Sequence, residues 1–462
     1  MDQRINDISA TDREYVFHPS THLGQFARGE IANRVMTDGK GVYVEDRDGV
    51  RTLDGFAGLY CVNIGYGRLE VAEAINEQAK KLAYYHAYVG HSNEQIAKLS
   101  ERIVTKAGMG MSKVYYGLSG SDANETNVKL VWYYNNVLGR PEKKKIISRK
   151  RGYHGSGLMT GSLTGLPSFQ NAFDLPLDRV LHTGCPHYWR EGRPGETERE
   201  FSRRLAAELE ALILAEGPET VAAFIGEPVL GTGGIVPPPE GYWDDIQAVL
   251  NKYDILLIAD EVVTAFGRTG QYFGSHTYNI RPDIITIAKG VTSAYLPLSG
   301  SIVGERVWNV LTQGNDKMGA MGHGWTYSAH PLCAAAANAN LDIVDGEDLT
   351  GNARETGAYF QQRLHETFDG HPMVGEVRGV GLMAALEFVA DKETKTFFEP
   401  ARGVGGKVSA AALAEGLIAR AMPNGDILGF APPLVITRDE VDRVVAMAKT
   451  AVDKVAAEVM KG

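Results

Sequence analysis

Short apolar runs recur through the middle of the chain, at 145–148, Val221–Gly226, 255–259, 283–288 and 301–304, and helical patterns at 197–215 and 242–252 separate several of them. A strand without a polar face must be covered on both sides, and intervening helices supply that cover. The pattern predicts an α/β fold with a buried, mainly parallel sheet between helices. Upstream, helices are predicted over 69–82 and 94–106, then a strand at 113–116, a Gly/Ser turn and a helix through Trp132. Residues 41–46 followed by Asp48-Gly49 read as a hairpin, because Asp-Gly favours a tight turn. Over the last hundred or so residues the rhythm changes. Helices near 353–368, 405–419 and 437–459 flank a strand-like stretch at 381–386, which indicates a smaller α+β domain.

Composition removes several function classes. The net charge of −10 lacks the basic footprint of a nucleic-acid binder and the basic face of a protein held on an anionic membrane. No apolar run approaches the roughly 18 residues that span a bilayer. The start, Met1–Asp7, is polar and has no apolar signal core. Cys61, Cys185 and Cys333 are too few and too scattered for a disulfide framework or zinc knuckle, so a reducing, cytoplasmic setting is expected. No metal site is expected either: there is no His-Glu-x-x-His, and His182 and His187 have no obvious third ligand.

The chemistry concentrates at strand ends. Asp260 follows the run 255–259 and Lys289 follows 283–288. In a parallel sheet the carboxyl ends of the strands line the ligand crevice. A lysine there can act as an amine nucleophile, and an acid on a nearby strand can serve a pyridine nitrogen. Amine plus acid is what pyridoxal phosphate (PLP) needs, although both residues leaving the sheet into solvent, or a nucleotide enzyme, would read similarly. Gly117-Leu118-Ser119-Gly120-Ser121-Asp122, between a strand and a helix, offers N–H groups and hydroxyls to a phosphate; it also reads as a capped helix start with Ser119 or Ser121 as N-cap. No phosphate-loop lysine or intact dinucleotide pattern follows it. Tyr153 and His154, in Arg151-Gly152-Tyr153-His154-Gly155, place an aromatic ring where it can stack on a flat cofactor or simply pack.

At these residues the sequence resembles the class III (subgroup II) aminotransferases of PLP fold type I, and among them the ω-amino-acid and amine:pyruvate transaminases. The likeness runs from about Val35 to Lys454. It is carried by 58–67, 119–125, Tyr153-His154-Gly155, Glu227-Pro228-Val229, 260–270, Ala288-Lys289-Gly290 and 323–331. The resemblance implies a seven-stranded sheet in a large domain at 76–335. An N-terminal arm with part of the small domain occupies 1–75, and the rest of the small domain occupies 336–462. It implies that Lys289 forms the internal aldimine and shuttles the proton, and that Asp260 pairs with the ring nitrogen. Tyr153 and Val262 flank the ring. Ser119, Gly120 and Ser121 hold the phosphate, with Thr326 reaching that of a neighbouring subunit, Glu227 lies near Asp260, and His154 belongs to the cofactor-binding set. A homodimer with shared sites, or a dimer of dimers, follows.

On the substrate side the resemblance points to Tyr60, Tyr88, Tyr153, Thr232 and Arg420. Glutamate-using relatives carry a glutamate at the Thr232 position that neutralises a carboxylate-binding arginine. Thr232 cannot make that pair, and Arg420 matches the mobile arginine of the ω-transaminases. The expectation is ping-pong transfer from an ω-amino acid or primary amine to pyruvate, giving alanine. The hydroxyls of Tyr60, Tyr88, Tyr153 and Thr232 favour donors with a polar or anionic far end, such as β-alanine or taurine, over bulky apolar amines. Alternatives are a 2-oxoglutarate-using enzyme, a decarboxylating transaminase or an aminomutase.

Overall fold

The structure, a computed structural model, describes residues 8–460, so the polar start Met1–Asp7 lies outside the described residues. Three short strands come first: β1 (Met36–Lys40), β2 (Tyr43–Asp46) and β3 (Arg51–Asp54), paired as an antiparallel meander. The predicted hairpin is β2–β3, with Gly49 of the Asp-Gly pair at φ +76°, a conformation glycine adopts without a Cβ penalty.

The central sheet contains β4 (Met111–Gly117), β5 (Lys145–Arg149), β6 (Val180–Thr183), β7 (Val221–Gly226), β8 (Leu256–Asp260), β9 (Ile284–Ile287) and β10 (Ser299–Gly304), in the order β4-β10-β9-β8-β7-β5-β6. Six strands share one direction and β10 alone runs against them. Every residue of β7, β8 and β9 is buried, which is why these strands read as apolar on both faces. On one face, Val128, Val131 and Tyr134 of helix Gly120–Val137 cluster with Ile146, Ile225, Ile258 and Ile284. On the other, helices Glu198–Glu216 and Tyr242–Lys252 set Phe201, Leu205, Trp243 and Ile246 against Ile147, Phe224 and Leu257. Each fully buried side chain of this size contributes ~1.5–3 kcal/mol. The sequence pattern misses β6: Val-Leu-His-Thr is too short and too mixed to show a period.

The last third adds β11 (Val374–Val380), β12 (Met383–Phe388), β13 (Leu417–Ile418), β14 (Arg420–Ala421) and β15 (Ile427–Phe430). Strands β11-β12-β15-β14 form an antiparallel sheet, while β13 pairs in parallel with β3, joining the two ends of the chain. Helices Leu349–Phe368 and Arg438–Val459 pack Phe360, Leu364, Val444 and Ala448 into one core with Leu386 and Phe430.

Two boundaries differ from expectation. The helix expected over 405–419 is Val404–Ala414: Gly416 turns at φ +89°, and Leu417 leaves the helix to pair with Leu53. Arg420 therefore lies in a strand. The strand expected at 381–386 begins at Met383, because Gly381 (φ +54°) forms the β11–β12 turn. Among the described residues no helix is long and apolar enough to cross a membrane.

Candidate active site

The carboxyl ends of β4, β5, β7, β8 and β9 open onto one cavity of ≈ 400 Å³. Asp260 is the last residue of β8 and sits in register with Thr286 of β9. Lys289, three residues after Thr286, therefore emerges just past the end of the neighbouring strand, at the same edge of the sheet. Both line the cavity, with Ser119, Gly120, Ser121, Tyr153, His154, Glu227, Thr232 and Val262. Sequence spacing alone had brought none of these segments together.

Each wall has a local cause. After β4, Ser119 caps helix Gly120–Val137 by a capping box: its hydroxyl accepts from Asp122 N (3.2 Å) and Asp122 accepts from Ser119 N (3.0 Å). This long helix aims its first N–H groups and positive end at the cavity. Gly120 lies against Val262; a Cβ on it would be 3.0 Å from Val262 Cγ2. After β5, Gly155 (φ +134°) lets the chain approach Ser121, whose Oγ would meet a Cβ there at 2.7 Å.

Asp260 is 3% exposed, and three groups orient its carboxylate. Asn124 Nδ2 (2.8 Å) and His154 Nδ1 (2.8 Å) approach Oδ2, and Val262 N (3.2 Å) donates to Oδ1. With Nδ1 donating, His154 is left with a buried Nε2 that has no partner. Asn124 also donates to His154 O (2.9 Å) and accepts from the Thr286 hydroxyl (2.7 Å), which fixes its amide. Asn124 escapes the sequence reading. The signal available was its spacing with Asn127: two amides one turn apart on a helix face that must be buried. Glu227 accepts from Tyr153 N (3.0 Å) and Gly231 N (2.6 Å), tying the Tyr153 loop to the Thr232 hairpin. Burial pushes its carboxyl above the usual range, against the opposing charges of His154 and Arg149.

Four of the expected site residues lie off the cavity wall of the single chain. Tyr60 is buried beside Phe56, with ring centroids 4.4 Å apart and its hydroxyl unpartnered; burial pushes its pKa up. Arg420 lines an adjacent cavity with Phe56 and Leu59, its guanidinium 5.6 Å from the Phe56 ring centre. Tyr88 is 41% exposed. Thr326 is exposed, on a segment where its carbonyl accepts from the Tyr84 hydroxyl (2.6 Å). His187, read as lacking a third ligand, in fact meets Glu376 and Glu387, with the potential ligand atoms within 4.8 Å of one another. Those carboxylates are 189 and 200 residues away in sequence, so spacing could not show them. Arg378 pairs with both of them and Arg190 with Glu387, so the cluster already carries its cations.

The cavity suits PLP by its donor set: an amine, an oriented carboxylate, a helix N-terminus for a phosphate, and the Tyr153 ring and the branched apolar Val262 side chain on its wall. Comparison with known proteins agrees. The aminotransferase class-III family model matches residues 26–452. The diaminobutyrate–2-oxoglutarate transaminase of Halomonas elongata is 65% identical over 97% of this chain and 96% of its own. The crystal structure of the ω-transaminase from Pseudomonas jessenii in complex with PMP has a TM-score of 0.95 at 42% identity, covering 98% of this chain and 100% of its own. A solved transaminase with L-alanine has a TM-score of 0.90 at 50% identity, over 92% and 100%. The chain belongs to the class III aminotransferases, PLP-dependent enzymes of fold type I.

Proposed function

We propose that this enzyme moves an amino group from an ω-amino acid or primary amine to pyruvate, giving alanine, in a ping-pong sequence. The observation that carries the reading is the convergence of Lys289 and Asp260, from adjacent strand ends, on one cavity with the Ser119–Ser121 helix start. When bound, PLP supplies an aldehyde that accepts the amino group and a ring that withdraws electrons from the substrate Cα. Lys289 is the residue that would hold the cofactor and, once released, take and return the proton at the substrate Cα. The Asp260 carboxylate would accept the ring N–H, kept in orientation by Asn124 and His154. Gly120 and Ser121 would bind the phosphate, and Tyr153 and Val262 would flank the ring and exclude water.

Pyruvate as acceptor is supported by Thr232, which is uncharged, and by Arg420, which forms no ion pair among the described residues. An unpaired guanidinium beside the site is available to a carboxylate. The exposed segment carrying Thr326, with the exposed Tyr84, Tyr88 and Tyr327 around it, supports a dimer in which Thr326 of the partner subunit completes the phosphate site. A second reading, 2-oxoglutarate as acceptor, is favoured by the name of the 65% identical Halomonas relative.

A donor panel with pyruvate and with 2-oxoglutarate, scored by alanine and glutamate formed, tests both. Alanine from β-alanine, taurine or simple amines, absent in Lys289→Ala, is the expected result. Glutamate without alanine would overturn the reading of Thr232 and Arg420. A lower kcat/KM for β-alanine and taurine than for 1-phenylethylamine would sink the preference for polar donors.

A further inference from the structure

Lys289 sits in an unusual backbone. Its φ is +46°, and Ser293 (+47°) and Ala294 (+63°) follow in the same loop. Residues bearing a Cβ persist there only when their surroundings over-determine the conformation. The surroundings are identifiable. Asn340, on helix Pro331–Gly346, is fully buried and far along the sequence from Lys289. Its Nδ2 donates to the carbonyls of Gly290 (2.9 Å) and Val291 (3.0 Å). Its Oδ1 accepts from Ser293 Oγ (2.6 Å), and Ser293 Oγ in turn accepts from Ile64 N (3.2 Å). Carbonyls only accept, so the amide has one orientation. Gly290 admits no side chain: a Cβ would lie 2.4 Å from Asn63 Nδ2. One buried amide thus joins the loop after Lys289 to the segment that carries Cys61 on the cavity wall.

Resting on the reading of Lys289 above, we infer that Asn340 is a positioning residue that holds the Lys289 loop in its left-handed form and so aims the lysine amine into the cavity. Nothing else about Asn340 requires it to be an amide: it touches neither the cavity nor the surface. Its effect passes through the carbonyls of Gly290 and Val291 and the hydroxyl of Ser293.

The test is a cycle of Asn340→Ala and Lys289→Ala, singly and together. Asn340→Asp serves as a second variant that keeps the size and the acceptor but loses the donors. Three quantities are read: urea unfolding of the apoenzyme, the rate at which the apoenzyme captures added PLP (by absorbance), and the half-reaction with amine donor. Lys289→Ala is assayed with added methylamine as the external base. With Lys289 present, losing Asn340 is expected to slow capture and half-reaction by at least about tenfold, toward the roughly hundredfold that an ångström of misplacement costs. With Lys289 absent, the methylamine-assisted rate should not change when Asn340 is also replaced. Equal losses in both backgrounds, or no loss with Lys289 present, would overturn the positioning role. Full activity of Lys289→Ala without methylamine would instead overturn the reading of Lys289, and this role with it.

Discussion

Replacing Arg378 with methionine isolates what a buried ion-pair network contributes to the substrate wall. Arg378 donates from Nη1 to Glu376 (2.6 Å) and Glu387 (2.7 Å), and from Nε and Nη2 to the carbonyls of Gly234 and Ile235, at the base of the hairpin that carries Thr232. Glu387 has no exposed side-chain surface. Removing one partner of such a pair costs about 3–5 kcal/mol, because a buried charge is left behind. The two released carbonyls add ~0.5–1.5 kcal/mol each, and burial of the methionine returns ~1.5–3. The expected loss is about 3–5 kcal/mol, read by urea unfolding, with a raised KM for both substrates because the Thr232 hairpin loses its anchor.

The pH dependence carries the mechanism. Burial opposes ionisation of Glu387, but Arg378 and Arg190 outweigh it and hold its carboxyl below the usual range. A carboxyl lowered on folding contributes stability above its unfolded value of about 4.3 and loses it as the pH falls. Without Arg378, Glu387 keeps only its Arg190 ion pair, its carboxyl rises, and its stabilising contribution above about 4.3 shrinks. His187 also loses the positive neighbour that depresses it, so the variant loses less stability below about pH 6.5, and the gap between wild type and Arg378→Met should be wider near about pH 8 than near about pH 5. Adding Glu387→Leu should recover most of the loss. A gap that does not change with pH, or a double variant no better than the single one, would refute this account.

Three further outcomes are expected. Burial and the Arg378 charge push the His187 imidazole down to about 2; since free histidine titrates near 6.5, stability is complete above that value and falls by up to about 1.4 kcal/mol per unit of pH below it. His187→Gln should flatten that acid limb in unfolding measured from neutral to mildly acidic pH. Gly233→Ala would place a Cβ 2.1 Å from Arg151 O, forcing the hairpin to move; a loss of ~1–3 kcal/mol and a raised KM with PLP affinity retained are expected, from unfolding, kinetics and PLP titration. Thr126→Val removes the oxygen that accepts from Trp325 Nε1 (3.0 Å) and meets His323 Nε2 (3.0 Å). Losing these two bonds and the one the hydroxyl donates to Asp122 O (2.9 Å), ~0.5–1.5 kcal/mol each, should loosen the Thr326 segment; for the proposed dimer this means a dissociation constant, measured by dilution, raised about tenfold or more.

Much of the site was legible before folding because its parts are local. The Ser119–Asp122 cap, the Asp260 and Lys289 strand ends and the Gly152–Gly155 loop each announce themselves within a few residues. What resisted was anything set by a partner far away in sequence. Helix 404–414 stops short because Leu417 pairs with Leu53, a competition that local propensity does not register. Asn124, Asn340 and Arg378 looked like ordinary polar residues within regular elements, and only their burial makes them clamps.

Sequence by itself therefore determined six of the seven strands, the helical cover and which reactive residue types end those strands, since strand burial and helix capping leave periodic and local marks. Only the tertiary structure decided which side chains share the cavity, and that Arg420 and Tyr60 lie beside it rather than on its wall. It also decided that Thr326 faces outward and that one asparagine pins the lysine loop. Those outcomes depend on distances between segments tens to hundreds of residues apart, and no short-range pattern encodes them.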